Sequence, residues 1–294
     1  MTVPNFFILG APRSATTFLY RAVTQHPQIF MSAVKEPAFF SHDGRDPEWV
    51  TPIAAPKKIA TWEEYLHLFD DSESYPIRGE ASTGYLADDH AARRIRARLD
   101  ETPYLVAILR NPADRAYSHY LYHRMLNVEP AETFERALLD EPNRQQQHWN
   151  MQWRYRETGL YGEHLKRYLN IFGPDRLLVL LHEDFADVPA VLGRVFTHLG
   201  IDGDVTTNLE GKVNQSGVSK GSLASWLLQN RNPIKLIGFH LLPRPVRKRL
   251  RNWLTDRPPE LSQRTRRSLI EYYLGDMEKA ERLINRDLSA WRKA

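Results

Sequence analysis

Short apolar runs alternate along this chain with segments whose apolar residues recur every three or four positions. Phe6-Phe7-Ile8-Leu9 is apolar at every position, which predicts a strand buried on both faces, and Gly10-Ala11-Pro12 ends it. From Ala15 through Gln25, Phe18, Leu19, Ala22 and Val23 fall at helical spacing, and His26-Pro27 stops the run. Tyr104–Leu109 predicts a second strand, with the basic helix-like segment Ala91–Leu99 before it. Arg110-Asn111-Pro112 closes that strand, and Asp114–Met125 has helical character, Pro112 and Asp114 being residue types that suit a helix start. A third unit follows: helix over Leu160–Phe172, strand over Arg176–Leu181, helix over Val188–Leu199. From Ser262 the pattern predicts one long helix whose stripe of Leu269, Tyr272, Tyr273, Met277, Ala280, Leu283 and Ile284 faces the core.

Strands alternating with helices predict an α/β fold, three-layer α/β/α with a central parallel sheet. Ligands of such sheets sit beyond the carboxyl ends of the strands, where both Gly10–Thr17 and Arg110–Ser118 fall. No internal repeat, low-complexity tract or Gly/Ser linker divides the chain, so one domain over 1–294 is expected. At 42% hydrophobic and 26% charged residues, the composition excludes collagen-like, disordered and membrane-spanning classes. The longest apolar runs are far shorter than a transmembrane helix needs. No basic region precedes an apolar stretch at the start, and there is no cysteine. A cytoplasmic location is therefore expected, and disulfides, thiolate metal sites and cysteine nucleophiles are excluded. The net charge of +4 is unevenly spread: nine basic and two acidic residues lie between Arg244 and Arg267. Prolines at 243, 245, 258 and 259 break that stretch, which favours a solvated surface over one long basic recognition helix.

Candidate chemistry begins at Gly10-Ala-Pro-Arg-Ser-Ala-Thr-Thr17. Successive backbone N–H groups at a helix start, with the positive end of its dipole and two hydroxyls, make a receptor for phosphate. The same residues also suit a capped helix start with Arg13 in solvent. Against the nucleoside-triphosphate pattern G-x-x-x-x-G-K-[ST], Gly10 is in place, but Ala15 stands for the second glycine and Thr16 for the lysine. Without that lysine, cleavage of ATP or GTP is disfavoured. Arg13 is the loop's basic residue.

Together these residues resemble the sulfotransferases that use 3′-phosphoadenosine 5′-phosphosulfate (PAPS). Ile8–Thr17 is similar to the family's 5′-phosphosulfate loop, bacterial members of which commonly carry glycine at the place of Ala15. The resemblance implies that Arg13, Ser14, Ala15, Thr16 and Thr17 bind the 5′ end of the donor. A strand ending in arginine, with serine eight residues on, holds the 3′-phosphate in the family, and Arg110 and Ser118 match it. A guanidinium grips phosphate through two hydrogen bonds and the hydroxyl adds a third. Lys35-Glu36-Pro37-Ala38-Phe39-Phe40 resembles a segment of the heparan-sulfate type, in which the glutamate is the proposed base; the cytosolic steroid and phenol enzymes use a histidine, and His42, His119 and His123 keep that option open. Gly79–Leu86 is similar to an acceptor-side motif, with Ala81 where animal polysaccharide enzymes have lysine, and Glu80 is either an acceptor contact or structural. Ser219-Lys220-Gly221 resembles a loop that closes over the 3′-phosphate and adenine. Arg286–Trp291 looks like the structural terminus of many bacterial members.

The resemblance thus implies a PAPS-dependent enzyme with a P-loop-like fold, releasing adenosine 3′,5′-bisphosphate (PAP) and requiring no metal. Glu36 is expected as base, with Arg13 and then Lys35 stabilising the charge that develops on the leaving oxygen. The expected partner is a carbohydrate or small-molecule acceptor with a hydroxyl or amine, with no nucleic acid and no integral membrane segment. Trp149, Trp153, Tyr155 and Tyr161 are expected in a lid or cleft. Two rival readings are a kinase with a degenerate phosphate loop and a non-catalytic polyanion binder using the 244–267 stretch.

Overall fold

The computed structural model describes residues 2–45, 49–52, 59–203, 218–219, 255–256 and 259–293. Strand β1 (Phe6–Gly10) runs into helix α1 (Thr16–Val23), followed by β2 (Ile29–Met31), α2 (Phe39–His42), α3 (Trp62–Leu66) and β3 (Ile77–Ala81). Then come α4 (Ala91–Arg98), β4 (Tyr104–Leu109), α5 (Pro112–Met125), α6 (Phe134–Gln146), α7 (Tyr161–Phe172), β5 (Leu177–Leu181) and α8 (Val188–Leu199). A two-residue strand, β6 (Val218–Ser219), pairs antiparallel with β7 (Thr255–Asp256), and α9 spans Gln263–Ile284.

The five longer strands form one parallel sheet in the order β2-β3-β1-β4-β5. Its centre is β1, with Phe6 opposite Gly79 on one side and Tyr104 on the other. Strand alternation sends Phe7, Leu9, Leu105, Ala107 and Leu109 to one face, where helices α2 to α5, α7 and α9 pack. Phe6, Ile8, Val106 and Ile108 go to the other face, under α1 and α8. Both faces are covered, the arrangement that the near-continuous apolar runs of β1 and β4 require. β2 and β3 were not expected from the apolar pattern.

The long-helix stripe is narrower than expected. Leu269, Tyr273, Met277 and Ala280 are buried, whereas Tyr272 and Leu283 are exposed. The buried set keeps to three- and four-residue steps, and Tyr272 and Leu283 project off that line. The aromatic segment is also corrected: Trp153, Tyr155 and Tyr161 are core residues, not a lid, and Trp149 alone of the four is partly exposed. Of the basic stretch, residues 244–254, 257 and 258 lie outside the described residues; Arg266 bonds Asp114 on α5 at 2.5 Å. Among the described residues no helix is long and apolar enough to cross a membrane.

Candidate active site

The site lies where β1 and β4 end side by side. After β1 the chain turns tightly, and Gly10 sits at φ +147°, where an added Cβ would lie 2.7 Å from the Thr83 carbonyl oxygen. Only glycine fits that conformation and that approach. Arg13 and Ala15 take left-handed backbone, φ 70° and 73°, and α1 starts at Thr16. Neighbouring N–H groups at the start of α1 thus face one concavity, the arrangement that receives oxyanions. Thr16 occupies the place a nucleoside-triphosphate lysine would take, and it is buried.

After β4, Asn111 caps α5: its side-chain oxygen accepts from Ala113 N at 3.0 Å and Asp114 N at 3.4 Å. Arg110 Nη1 donates to the Arg13 carbonyl at 3.2 Å. Arg13 Nε donates to Ser118 Oγ at 3.3 Å, and its guanidinium lies over the Tyr122 ring at 4.5 Å. Arg13, Arg110 and Ser118, predicted from two remote segments, are therefore brought together, and the two corners adjoin. Burial lowers the Arg13 pKa, the Tyr122 phenol opposes that shift, and the Arg110 charge adds to it. The guanidinium remains protonated at any working pH.

Ser14 Oγ is wholly buried beside the Tyr161 hydroxyl, which donates to the Arg110 carbonyl at 2.9 Å. A buried hydroxyl in the turn that opens a helix, next to Arg13 in the chain, suits a bound phosphate or sulfate oxygen. The residues present therefore fit a phosphorylated donor. Of the third expected element, the Ser219 backbone lies in β6 beside α5. Lys220 and Gly221 lie outside the described residues.

Glu36 reaches the same region from the other side. Its backbone, at φ 64°, donates to the Ala81 carbonyl at 2.9 Å. Its carboxylate accepts from Thr83 N at 3.0 Å and from Thr83 Oγ1 at 3.0 and 3.1 Å, while Lys35 Nζ bonds Oε1 at 2.6 Å. Because the Thr83 carbonyl abuts Gly10, Glu36 stands one residue's width from the start of the phosphate loop. Its side chain is 37% exposed, open to an incoming acceptor. Lys35 is thereby paired with Glu36.

Glu80 is no acceptor contact. It is fully buried, accepting from Tyr65 Oη at 3.0 Å, Tyr85 Oη at 2.8 Å and Ser82 Oγ at 2.6 Å. Burial pushes its carboxyl up to about 7, which the three hydroxyl bonds oppose and the Glu36 charge reinforces. Ser82 Oγ also accepts from Ala38 N, and Tyr85 Oη from Phe40 N, so Glu80 ties β3 to the segment carrying Glu36.

The alternative histidine bases are enclosed. His119 accepts at Nδ1 from Arg115 Nη1 at 3.2 Å, and burial holds its pKa well down. His123 Nδ1 donates to Tyr155 Oη, which donates to Glu129, and burial with the nearby arginines brings His123 down to about 3. Such a ring is neutral but too weak a base to be matched to neutral pH. His42 is buried beneath α2, where Nδ1 accepts from Gly44 N at 3.1 Å. Sequence reasoning passed over Tyr122, placed Thr83 only within the Gly79–Leu86 motif, and expected Tyr161 in a lid or cleft without a tie to Arg110. Tyr122 was within reach of it, since it stands four residues from Ser118 on a helix and so shares its face.

The chain as a whole is similar to known proteins. A family model described as "Sulfotransferase domain" matches residues 3–216. Carbohydrate sulfotransferase 15 of Mus musculus is 27% identical over 276 positions, covering 74% of this chain and 47% of that protein. Bifunctional heparan sulfate N-deacetylase/N-sulfotransferase 3 of Homo sapiens is 26% identical over 211 positions, covering 68% of this chain and 22% of that one. The chain thus spans about half the length, or less, of these curated relatives. A crystal structure of a sulfotransferase from Alicyclobacillus acidocaldarius superposes over the whole of both chains, with a TM-score of 0.77 and 29% identity. The sulfotransferase domain from the curacin biosynthetic pathway shares the fold at a TM-score of 0.50 and 14% identity, covering 98% of this chain and 100% of that one.

Proposed function

The chain belongs to the sulfotransferase family, and on that premise we propose that it transfers the sulfuryl group of PAPS to a hydroxyl or amine of a carbohydrate or small-molecule acceptor. One observation carries the reading. Arg13, Ser118 and Arg110 join into a single cationic and hydroxylic cluster at the ends of neighbouring strands, within hydrogen-bond reach of one another. A nucleotide with phosphate on both sides of its ribose needs two neighbouring anion sites, and the adjoining of the two corners supports that reading. A nucleoside triphosphate needs a lysine that this loop lacks.

In this reading the N–H groups of the Ser14–Thr17 turn and the Ser14 hydroxyl hold the 5′-phosphosulfate, and Arg110 and Ser118 hold the 3′-phosphate. Lys220 is proposed as a further 3′-phosphate contact. Glu36 removes the acceptor proton as the new O–S or N–S bond forms. The bond between sulfur and the bridging oxygen breaks in line, and the electron pair leaves on PAP. Arg13 is the cation nearest the developing charge. Thr83 fixes the Glu36 carboxylate through two donors, so the base is already aimed when an acceptor arrives. The similarity to carbohydrate sulfotransferase 15 and to the heparan sulfate N-deacetylase/N-sulfotransferase supports a carbohydrate acceptor.

The test pairs binding with turnover. Calorimetry is expected to show PAP bound at least about tenfold more tightly than ATP with magnesium, a difference worth ~1.4 kcal/mol. Labelled sulfate from PAPS is expected to enter a member of a panel of oligosaccharides and small hydroxyl or amine compounds. ATP binding as tightly as PAP, with no label transferred, overturns the reading.

A further inference from the structure

The segment after α9 lies far outside residues 3–216, yet it is fastened to the strand end that carries Arg110. Leu288 and Trp291 are buried. Asn111 faces two ways: its side-chain oxygen caps α5, and its Nδ2 donates to the Trp291 carbonyl at 3.1 Å. Trp291 Nε1 donates to Glu183 Oε1 at 2.9 Å, and Arg286 bonds both oxygens of Asp184 at 2.8 and 3.2 Å. Asp184 in turn accepts from Leu181 N at 2.9 Å, the last residue of β5. Within the segment, Leu288 N donates to Glu281 Oε1 at 3.0 Å, and Arg292 also bonds Glu281. Tyr161, whose hydroxyl holds the Arg110 carbonyl, packs its ring edge-on to Trp291 with centroids 6.2 Å apart.

Arg110 and Asn111 are thus held by Tyr161 through the Arg110 carbonyl and by Trp291 through the Asn111 side chain. Arg110 leaves the sheet at a strand end, where a side chain on an untethered turn would sample several directions. Here its carbonyl is bonded by Tyr161 and its neighbour by Trp291, which fixes the backbone from which the guanidinium reaches the Arg13 carbonyl. We propose that residues 286–292 form a hook that aims Arg110 at the donor's 3′-phosphate, with Asn111 and Trp291 as positioning residues. The inference rests on the donor reading above and extends it to a segment that the family match does not reach.

The experiment compares two probes, PAP and adenosine 5′-monophosphate, which differ by the 3′-phosphate. Two variants are used. Asn111→Ser keeps an oxygen able to cap α5 but is too short to reach the Trp291 carbonyl. Trp291→Ala removes the ring and its bond to Glu183. Loss of one buried hydrogen bond predicts that the preference for PAP over the monophosphate falls by about three- to tenfold in each variant, with monophosphate affinity almost unchanged. A merely structural hook would weaken both probes alike or only lower the melting temperature. An unchanged preference in folded Asn111→Ser protein overturns the hook, and this variant decides alone if Trp291→Ala does not fold. If the unsubstituted protein itself shows no preference for PAP, the donor reading fails, and the hook fails with it.

Discussion

Arg13 Nε donates to Ser118 Oγ across 105 positions of sequence, at 3.3 Å. This bond joins the turn after β1 to the first turns of α5 and brings two remote chain segments into one cluster. It also places the most buried cation of the loop against a hydroxyl proposed to meet the 3′-phosphate.

Arg110 is the residue whose charge should separate the two nucleotides. A hydrogen bond to a charged group is worth about 1.5–3 kcal/mol, so Arg110→Ala should weaken PAP binding by about 10- to 100-fold and monophosphate binding far less. Titration calorimetry with both nucleotides reads the difference. Equal losses would mean that Arg110 acts only through its bond to the Arg13 carbonyl.

Glu36→Gln keeps an oxygen for Thr83 but cannot take a proton. General base catalysis contributes about 10²- to 10⁴-fold, so turnover should drop by that factor while PAP affinity stays within about twofold. Near-normal turnover would transfer the role of base to another group.

Ala15 sits at φ 73° and ψ 12°, a conformation that costs a non-glycine residue about 1–2 kcal/mol. Glycine relieves this but gains freedom in the unfolded chain, which offsets about 0.4–1 kcal/mol. Ala15→Gly should therefore stabilise the protein by about 0.5–1 kcal/mol, seen as a higher urea midpoint with unchanged slope. A lower midpoint would show that the alanine methyl packs usefully in the loop.

Glu80 should leave a mark on the pH dependence of stability. Its carboxyl titrates near 4.5 in the unfolded chain and at about 7 when folded, so the folded protein holds the proton more tightly. Its contribution is fully present below pH 4.5 and is lost as pH rises through 7, by up to about 3 kcal/mol. Glu80→Gln does not titrate and should lack this decline. His123 and His164, held down to about 3 and about 4, act in the opposite sense, losing stability as pH falls below 6.5. The measurement is accordingly the difference in unfolding free energy between the two proteins at pH 5 and pH 7.5. A constant difference would place the Glu80 pKa elsewhere.

Elements were legible where a single rule governed them. β1, β4 and β5 are apolar throughout, and α8 falls at Val188–Leu199 as its spacing predicts. β2 has three residues, too few to show a period. β3 reads Ile-Arg-Gly-Glu-Ala, and its polar residues hide it, because Arg78 finds the Val3 and Tyr75 carbonyls and Glu80 finds three hydroxyls inside. α6 was masked by Pro142, which cannot donate to the Leu138 carbonyl; Arg156 Nη2 takes that place at 2.8 Å. In β3 and α6, groups outside the element satisfy what the local pattern leaves open.

By itself the amino-acid order determined the parallel α/β plan, the turn at Gly10–Thr17 between β1 and α1, and the arginine at the end of β4, because these depend on residue type and local spacing. Only the tertiary structure decided that Glu36 stays open to an acceptor while Glu80 is sealed, that Lys35 spends its charge on Glu36, and that Trp291 stands behind Asn111. Two glutamates in similar local surroundings differ in solvation and in long-range partners, and both are set by strand register and packing across the whole sheet.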